Sequence, residues 1–339
     1  MLFFGVLSLG FAPKCGESIV INGISDIQRL PVSGEECLNV HQSWKTAEIP
    51  EKYGKLVKSW RGEGVRNVLW TDKGNLELVE HYYSGWTSHY MRLLDLPTNS
   101  GGAVMASDWA RLLYLHKFGG LYVDLDYEAH VAPTRWPVVT ENARRGRSKT
   151  SDFPIFFVNS PFLITEVMQN SLMYAPLPGH PFFERVCESI VNTLDFIEDP
   201  YCPDDQGRGG QRVSANCPLT GAFSNRWTKS LTWLMKTEQI TGPPVLDKTY
   251  TQLSLIGSSD VDHVRALSTS DYFGTVGANS IGPGAFATHW HANSWVTMNP
   301  VRLMPTLTLT VVLALSMLMA GMYYLGKNER FYRSKCLKS

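Results

Sequence analysis

The chain has no C-x-x-C pair, no N-x-[ST] acceptor site with a permitted middle residue, no internal repeat and no excess of either charge. Its six cysteines, Cys15, Cys37, Cys187, Cys202, Cys217 and Cys336, lack the paired spacing that zinc sites and thioredoxin-type centres need. Lys plus Arg and Asp plus Glu both number 31, so the formal net charge is zero, and no basic stripe runs along the chain. That excludes a nucleic acid held by a basic surface. Only 18% of residues are charged and 44% are hydrophobic, which excludes global disorder and supplies a sizeable core to a chain of 339 residues. Cys202 and Cys217 flank a polar, Gly-rich stretch and would staple it in an oxidising compartment.

Charge is also missing from one long run. Leu303 to Leu325 contains no charged residue and has about the length needed to span a bilayer. Pro305 sits at its start, where proline is tolerated, and Tyr323 and Tyr324 suit an interface. Lys327, Arg330, Arg333, Lys335 and Lys338 follow it against Glu329, whereas Arg302 alone lies close before it. The positive-inside rule therefore places the tail in the cytosol and the preceding domain in a secretory lumen. Leu2 to Ala12 has the size of a signal-peptide apolar region but no positive charge before it. Cys336, in the basic tail, is a candidate for palmitoylation or a free thiol. The organisation expected is an N-terminal segment over 1–36, a catalytic domain over 37–300, a transmembrane helix over 303–325 and a basic cytosolic tail over 326–339.

From Cys37 to Pro154 short apolar strands alternate with helical segments, an α/β pattern. Its most informative stretch is Ser107 to Asp126 (SDWARLLYLHKFGGLYVDLD). Leu112, Leu113, Leu115 and Phe118 give a helix over Met105 to Phe118 an apolar face, and Asp108 and Arg111 share a side at i,i+3. Gly119 and Gly120 end the helix where a left-handed residue is wanted. Leu121 to Leu125 then reads as a buried strand carrying Asp124 and Asp126, whose carboxylates face one point if the strand is regular. Hard cations such as Mn²⁺ or Mg²⁺ prefer carboxylate oxygens and also bind phosphates, so a D-x-D at a strand end suits a metal–diphosphate. Further expected elements are a strand over Ile155 to Val158, a helix from Pro181 to about Ile197 and a helix over Trp227 to Lys236. Arg144 to Lys149 (RRGRSK) reads as a solvated loop, or as a basic approach to a phosphate-bearing acceptor.

Ser107, Asp108, Arg111, Gly119, Gly120, Tyr122, Asp124 and Asp126 fill a pattern S-D-x-x-R, helix, G-G-x-Y-x-D-x-D. This block resembles the sugar-binding D-x-D region of the retaining glycosyltransferases with Och1-type and inositol phosphoceramide mannosyltransferase members, a family 32-like group. Val40 to Lys45 with Ile49 and Pro50 resembles the family's I-H-Q-x-W-K…I-P opening, and Val68 to Asp72 its second strand with a terminal acid. His289, Ser294 and Trp295 resemble its H-x4-S-W segment, and Pro218 to Ala222 its T-G-P element with alanine in place of proline.

The resemblance implies a GT-A-type nucleotide-sugar-binding fold. It implies a metal shell of Asp124, Asp126 and His289, with His291 a competing candidate, and donor contacts from His41, Gln42, Trp44, Asp108, Arg111, Tyr122, Ser294 and Trp295. Asp108, Arg111, Asp124 and Asp126 are the catalytic candidates. Carboxylates accept hydrogen bonds from sugar hydroxyls, and a guanidinium binds sugar, phosphate or Asp108 itself. Taken with the apolar run, it points to transfer of mannose from GDP-mannose to inositol phosphoceramide in the Golgi, with Mn²⁺ or Mg²⁺. Another nucleotide-sugar with a glycan or protein acceptor stays open. So do two other classes, an Asp124-nucleophile phosphatase, which Glu128 two residues after the second acid disfavours, and a non-catalytic sugar-binding protein.

The charge bias generates a topological expectation. In sealed microsomes an epitope placed after Ser339 should be digested by added protease while the catalytic domain survives. The reverse protection pattern would put the domain in the cytosol.

Overall fold

The computed structural model of the protein describes residues 13–34, 37–96, 101–144, 154–162, 165–196, 239–267, 274–275 and 286–290. The expected helix over Trp227 to Lys236, the Cys202–Cys217 bridge, the T-G-P-like element and the apolar run with its tail lie outside them. Among the described residues no helix is long and apolar enough to cross a membrane.

The expected α/β pattern is realised as a seven-stranded sheet. Its first half comprises β1 (Ser18–Ile21), β2 (Leu38–Ser43), β3 (Val65–Trp70) and β4 (Gly120–Val123). Its second half comprises β6 (Ile155–Phe162), β7 (Thr165–Ala175) and β8 (Val264–Leu267), and the spatial order is β1-β3-β2-β4-β7-β6-β8. The first four strands run parallel, and β7 then pairs antiparallel with both β4 and β6. Parallel neighbours need crossovers, here helical: α1 (Ile24–Arg29) lies between β1 and β2, α2 (Glu51–Ser59) joins β2 to β3, and α3 (Asp72–Tyr82), α4 (Thr87–Leu94) and α5 (Gly102–Phe118) join β3 to β4; α6 (Pro137–Arg144) precedes β6. Because β3 lies on one side of β2 and β4 on the other, the chain reverses its order at β2. The carboxyl ends of such strands open the crevice in which ligands of α/β sheets sit, and Asp124 follows immediately after β4.

The helix expected over Met105 to Phe118 begins one turn earlier, at Gly102, and is buried on nearly every side rather than on one face. It packs as a layer between the sheet and α4 and α7 (Pro181–Phe196), so Asp108 and Arg111 are carried into the interior with it. Gly119 and Gly120 have φ of +62° and +100°, and a side chain on Gly120 would run into the Asn39 carbonyl. The Gly-Gly pair therefore serves both the turn and the close approach of β4 to β2. The strand expected at Ile155 to Val158 extends to Phe162, and α7 ends one residue short of its expected end.

A small second sheet orders β5 (Tyr127–Ala129), β10 (Ala287–His289) and β9 (Gly274–Thr275). Pairing of β10 with β5 sets His289 opposite Tyr127. At the other end of the chain Cys15 and Cys37 form a disulfide, which the spacing of the cysteines did not reveal. The buried Arg66 guanidinium donates to Asn39 Oδ1 at 2.7 Å and to the Pro13 carbonyl at 2.9 Å beside it. Among the described residues Cys187 is the free cysteine, and it is buried.

His41 belongs to this framework. It is fully buried, its Nδ1 accepts from Trp70 Nε1 at 3.1 Å, and its Nε2 lies 2.9 Å from the Gly119 carbonyl. With Nδ1 accepting, Nε2 carries the proton and donates to that carbonyl. Both nitrogens are thus spent on joining β2, β3 and the end of α5. Burial lowers the His41 pKa from an ordinary 6.5 to about 4. Between those values the unfolded chain binds the proton and the folded chain refuses it, so stability falls as pH drops through that window. The full gap is worth about 3 kcal/mol. The melting temperature should decline from pH 7 to pH 4, and His41→Gln, although less stable at neutral pH, should show a shallower decline. An equal slope in both proteins would remove His41 from this role.

Candidate functional site

The turn after β4 builds the site. The strand ends at Val123, two residues earlier than the sequence pattern suggests, so regular strand alternation does not aim the two acids. A turn does: the Tyr127 N–H donates to the Asp124 carbonyl at 3.2 Å, and the Asp124 N–H donates to the Ser171 carbonyl at 2.9 Å. Leu125, between the acids, is buried in a small cluster with Tyr53 and Val57. An apolar anchor between two carboxylates leaves both to project away from it.

Asp124 accepts from Tyr122 Oη at 2.7 Å and pairs with Arg111 Nη1 at 3.2 Å. Arg111 Nη2 pairs with Asp108 Oδ1 at 2.9 Å, and its guanidinium carbon lies 4.7 Å from the centre of the Tyr122 ring. Asp108 and Arg111, one turn apart on α5, therefore join the D-x-D in one network, as the motif spacing suggests. Burial opposes the Arg111 charge, but Asp124, Tyr122 and Asp108 outweigh it and hold the guanidinium firmly protonated. Burial raises the Asp124 pKa above the usual carboxylate value, the Arg111 charge opposes that rise and the charge of Asp126 adds to it. A second cation at this point would relieve the crowding of the two acids.

His289 arrives from the other end of the described chain. Its Nε2 lies 3.2 Å from Asp126 Oδ1, and its ring stacks on Tyr127 with centroids 4.2 Å apart and planes 9° apart. Tyr127 is locked in turn by Ser171 Oγ at 3.1 Å from its hydroxyl and by Trp60 Nε1, which donates to its carbonyl at 2.9 Å. One ligand atom from each of Asp124, Asp126 and His289 lies within 4.8 Å of the others. Two carboxylate oxygens and an imidazole nitrogen fit Mn²⁺ well; Mg²⁺ favours an all-oxygen shell. All three side chains are half-buried or deeper, so the cluster is not a solvated acidic patch.

The remaining sequence candidates divide. Tyr122 is buried within the Arg111 network. Gln42 is buried at the end of β2, and its amide nitrogen has no partner among the described residues, a state that costs free energy unless a ligand meets it. Trp44 is half-buried and edge-on to Tyr53 beside the Leu125 cluster. His41 stands in the core with both ring nitrogens engaged by Trp70 and Gly119. His291, Ser294 and Trp295 lie outside the described residues. The sequence did not reveal Asn170 on β7, whose Nδ2 donates to Asp108 Oδ1 at 3.1 Å and whose carbonyl accepts from Arg111 Nη1 at 3.2 Å. Its only signal is the antiparallel register of β7 on β4, which no local motif encodes.

Residues 35–140 match a family described as the glycosyltransferase sugar-binding region containing the DXD motif. That stretch holds β2 to β5, Asp108, Arg111 and both acids of the D-x-D. The inositol phosphoceramide mannosyltransferase 3 of Schizosaccharomyces pombe is 36% identical over 26% of this chain and 23% of its own length. Inositol phosphoceramide mannosyltransferase 2 of the same organism is 21% identical over 82% of this chain and 62% of its own. The chain thus spans less than two thirds of the length of either relative. Among solved structures the PaToxG glycosyltransferase is 15% identical, with a TM-score of 0.37 over 67% of this chain and 73% of that one.

The geometry makes His289 testable apart from turnover. Isothermal titration of Mn²⁺ should give a dissociation constant at least about tenfold weaker in His289→Ala, the loss of one ligand. His130, which sits 2.7 Å from Thr288 Oγ1 on the same small sheet, is the control, and His130→Ala should bind as the wild type does. Equal affinity in all three proteins would exclude His289 from the shell.

Proposed function

We propose that the protein is a metal-dependent retaining glycosyltransferase of GT-A type that transfers mannose from GDP-mannose to the inositol headgroup of inositol phosphoceramide. The observation that carries this reading is the convergence of Asp124, Asp126 and His289 beside the Asp108–Arg111 pair, at the carboxyl end of β4 where the sheet changes direction. The names of the mannosyltransferase relatives support the choice of sugar and acceptor, and retention follows from the family resemblance. Asp124, Asp126 and His289 would hold Mn²⁺, which when bound neutralises the departing nucleoside diphosphate.

The chain's own groups have distinct parts in this reading. Asp108, fixed by Arg111 and Asn170, presents a carboxylate to sugar hydroxyls. Arg111 keeps its charge between two acids and has one buried nitrogen, Nε, without a partner among the described residues. Gln42 offers its unpaired amide nitrogen to the nucleotide, and Tyr122 holds Asp124 in register by its hydroxyl. A Golgi location with the catalytic domain in the lumen is supported by the charge bias around the apolar run. The Cys15–Cys37 bridge supports it too, since disulfides persist in oxidising compartments.

Asp124→Asn and Asp126→Asn should each lower donor hydrolysis and transfer by at least about a thousandfold, the scale of losing a main electrostatic element at the leaving group. Assays of the purified protein with Mn²⁺ across GDP- and UDP-sugars check this, with circular dichroism to confirm the fold. Full activity in either variant, or in excess EDTA, overturns the metal-dependent reading. Faster hydrolysis of a UDP-sugar than of GDP-mannose overturns the donor.

A further inference from the structure

Trp290 is 42% exposed, one of the few large apolar side chains left in solvent among the described residues, and it directly follows the metal-site histidine. Its backbone N–H donates to the Asp126 carbonyl at 2.9 Å, so its main chain is pinned to the second acid of the D-x-D. On antiparallel strands, residues directly opposite one another project to the same side. Thr288 opposes Glu128 and His289 opposes Tyr127. Trp290 follows the last paired residue of β10, and its link to the Asp126 carbonyl holds it next to the D-x-D turn while the His289 ring stacks on Tyr127.

Glu128 in turn draws in a cation. Its Oε1 lies 3.6 Å from Lys55 Nζ, and Lys55 on α2 is 87% exposed. One helical turn earlier, Lys52 Nζ stands 4.7 Å from the centre of the Tyr53 ring, in the cluster that anchors Leu125. Trp290 is thus tied to Asp126, Lys55 to Glu128 and Lys52 to the Tyr53 that packs with Leu125, so each of the three is linked to the turn that carries both acids. Asp108, Arg111, Asn170 and Gln42, the groups assigned to the donor in that reading, come from other elements, α5, β7 and β2, and leave Trp290 and Lys55 unused.

We propose that Trp290 and Lys55 form the acceptor subsite, taking the headgroup of a membrane lipid in which a polyol ring is joined to a phosphodiester. The ring stacks its C–H face on the indole, and Lys55 exchanges its pairing with Glu128 for the phosphodiester oxygens. With Lys55 exposed and the contact at 3.6 Å, the pair is loosely held, so Glu128 keeps the ammonium near the site without trapping it. Trp290 then sets the polyol against Asp126, next to the sugar that the proposed reading places on Asp108 and Arg111. The inference rests on that reading for the identity of the headgroup.

The test uses the full-length protein in detergent micelles with glycerophosphoinositol as the probe, titrated calorimetrically with and without added salt. Trp290→Ala should weaken binding about tenfold, and Trp290→Phe should recover most of the loss. Lys55→Gln should weaken binding and flatten its dependence on salt, a readout that a merely structural lysine would not move. Wild-type affinity in both Trp290→Ala and Lys55→Gln overturns the subsite. Inorganic phosphate competing as well as the probe also overturns it, because a bare anion site needs no indole. Wild-type protein that hydrolyses GDP-mannose but binds no probe sinks this inference alone; wild-type protein that binds the probe but hydrolyses no nucleotide-sugar sinks the glycosyltransferase reading instead.

Discussion

One buried cation organises this protein. Arg111 lies between Asp108 at 2.9 Å and Asp124 at 3.2 Å, with the Tyr122 ring beneath it and the Asn170 carbonyl beside it. A buried guanidinium is tolerated only when opposite charges and acceptors surround it. Those partners come from a helix, the end of a parallel strand and an antiparallel strand. Satisfying Arg111 therefore fixes α5, β4 and β7 relative to one another. The three acids nearby carry more negative charge than one guanidinium balances. The excess falls on the Asp126 side, where His289 stands, and it is there that an added cation would be held.

The local features of this arrangement were legible in the sequence because they obey short-range rules. Asp108 and Arg111 are i,i+3 on a helix, Gly119 and Gly120 mark the turn, and Asp124 and Asp126 end an apolar strand. The extent of α5's burial was not legible. Its pattern reads as one apolar face, yet the helix is surrounded, because what lies on its far side depends on α4 and α7 packing there. The aim of the acids was misread for a related reason. Regular strand alternation is the simplest rule for residues two apart, and Leu125 replaces it by anchoring a turn in a cluster formed by α2.

Long-range partners left still less trace. His41 carries the motif of a ligand contact, but its two nitrogens are taken by Trp70 and Gly119, residues 29 and 78 positions away. A histidine next to a functional segment and a histidine that ties strands together look alike until the fold is known. Asn170 and the Cys15–Cys37 bridge were missed because each depends on register between elements rather than on any spacing within one. His289 was found only because a recognisable segment surrounds it, not because composition or periodicity singles it out.

The pairing of β10 with β5 has a consequence for the order of events in the cell. His130 and Thr288, which meet across that pairing, are 158 residues apart in sequence. A growing polypeptide exposes its two acids long before the strand bearing His289 has been made. During that interval the acids have Arg111 for company but no imidazole, and any cation they collect is held by oxygen alone. Addition of the far strand brings an imidazole nitrogen to the two carboxylates, so a metal held there would meet mixed oxygen and nitrogen donors. In the proposed metal-dependent reading, synthesis of the distal segment would therefore come before the full donor set exists.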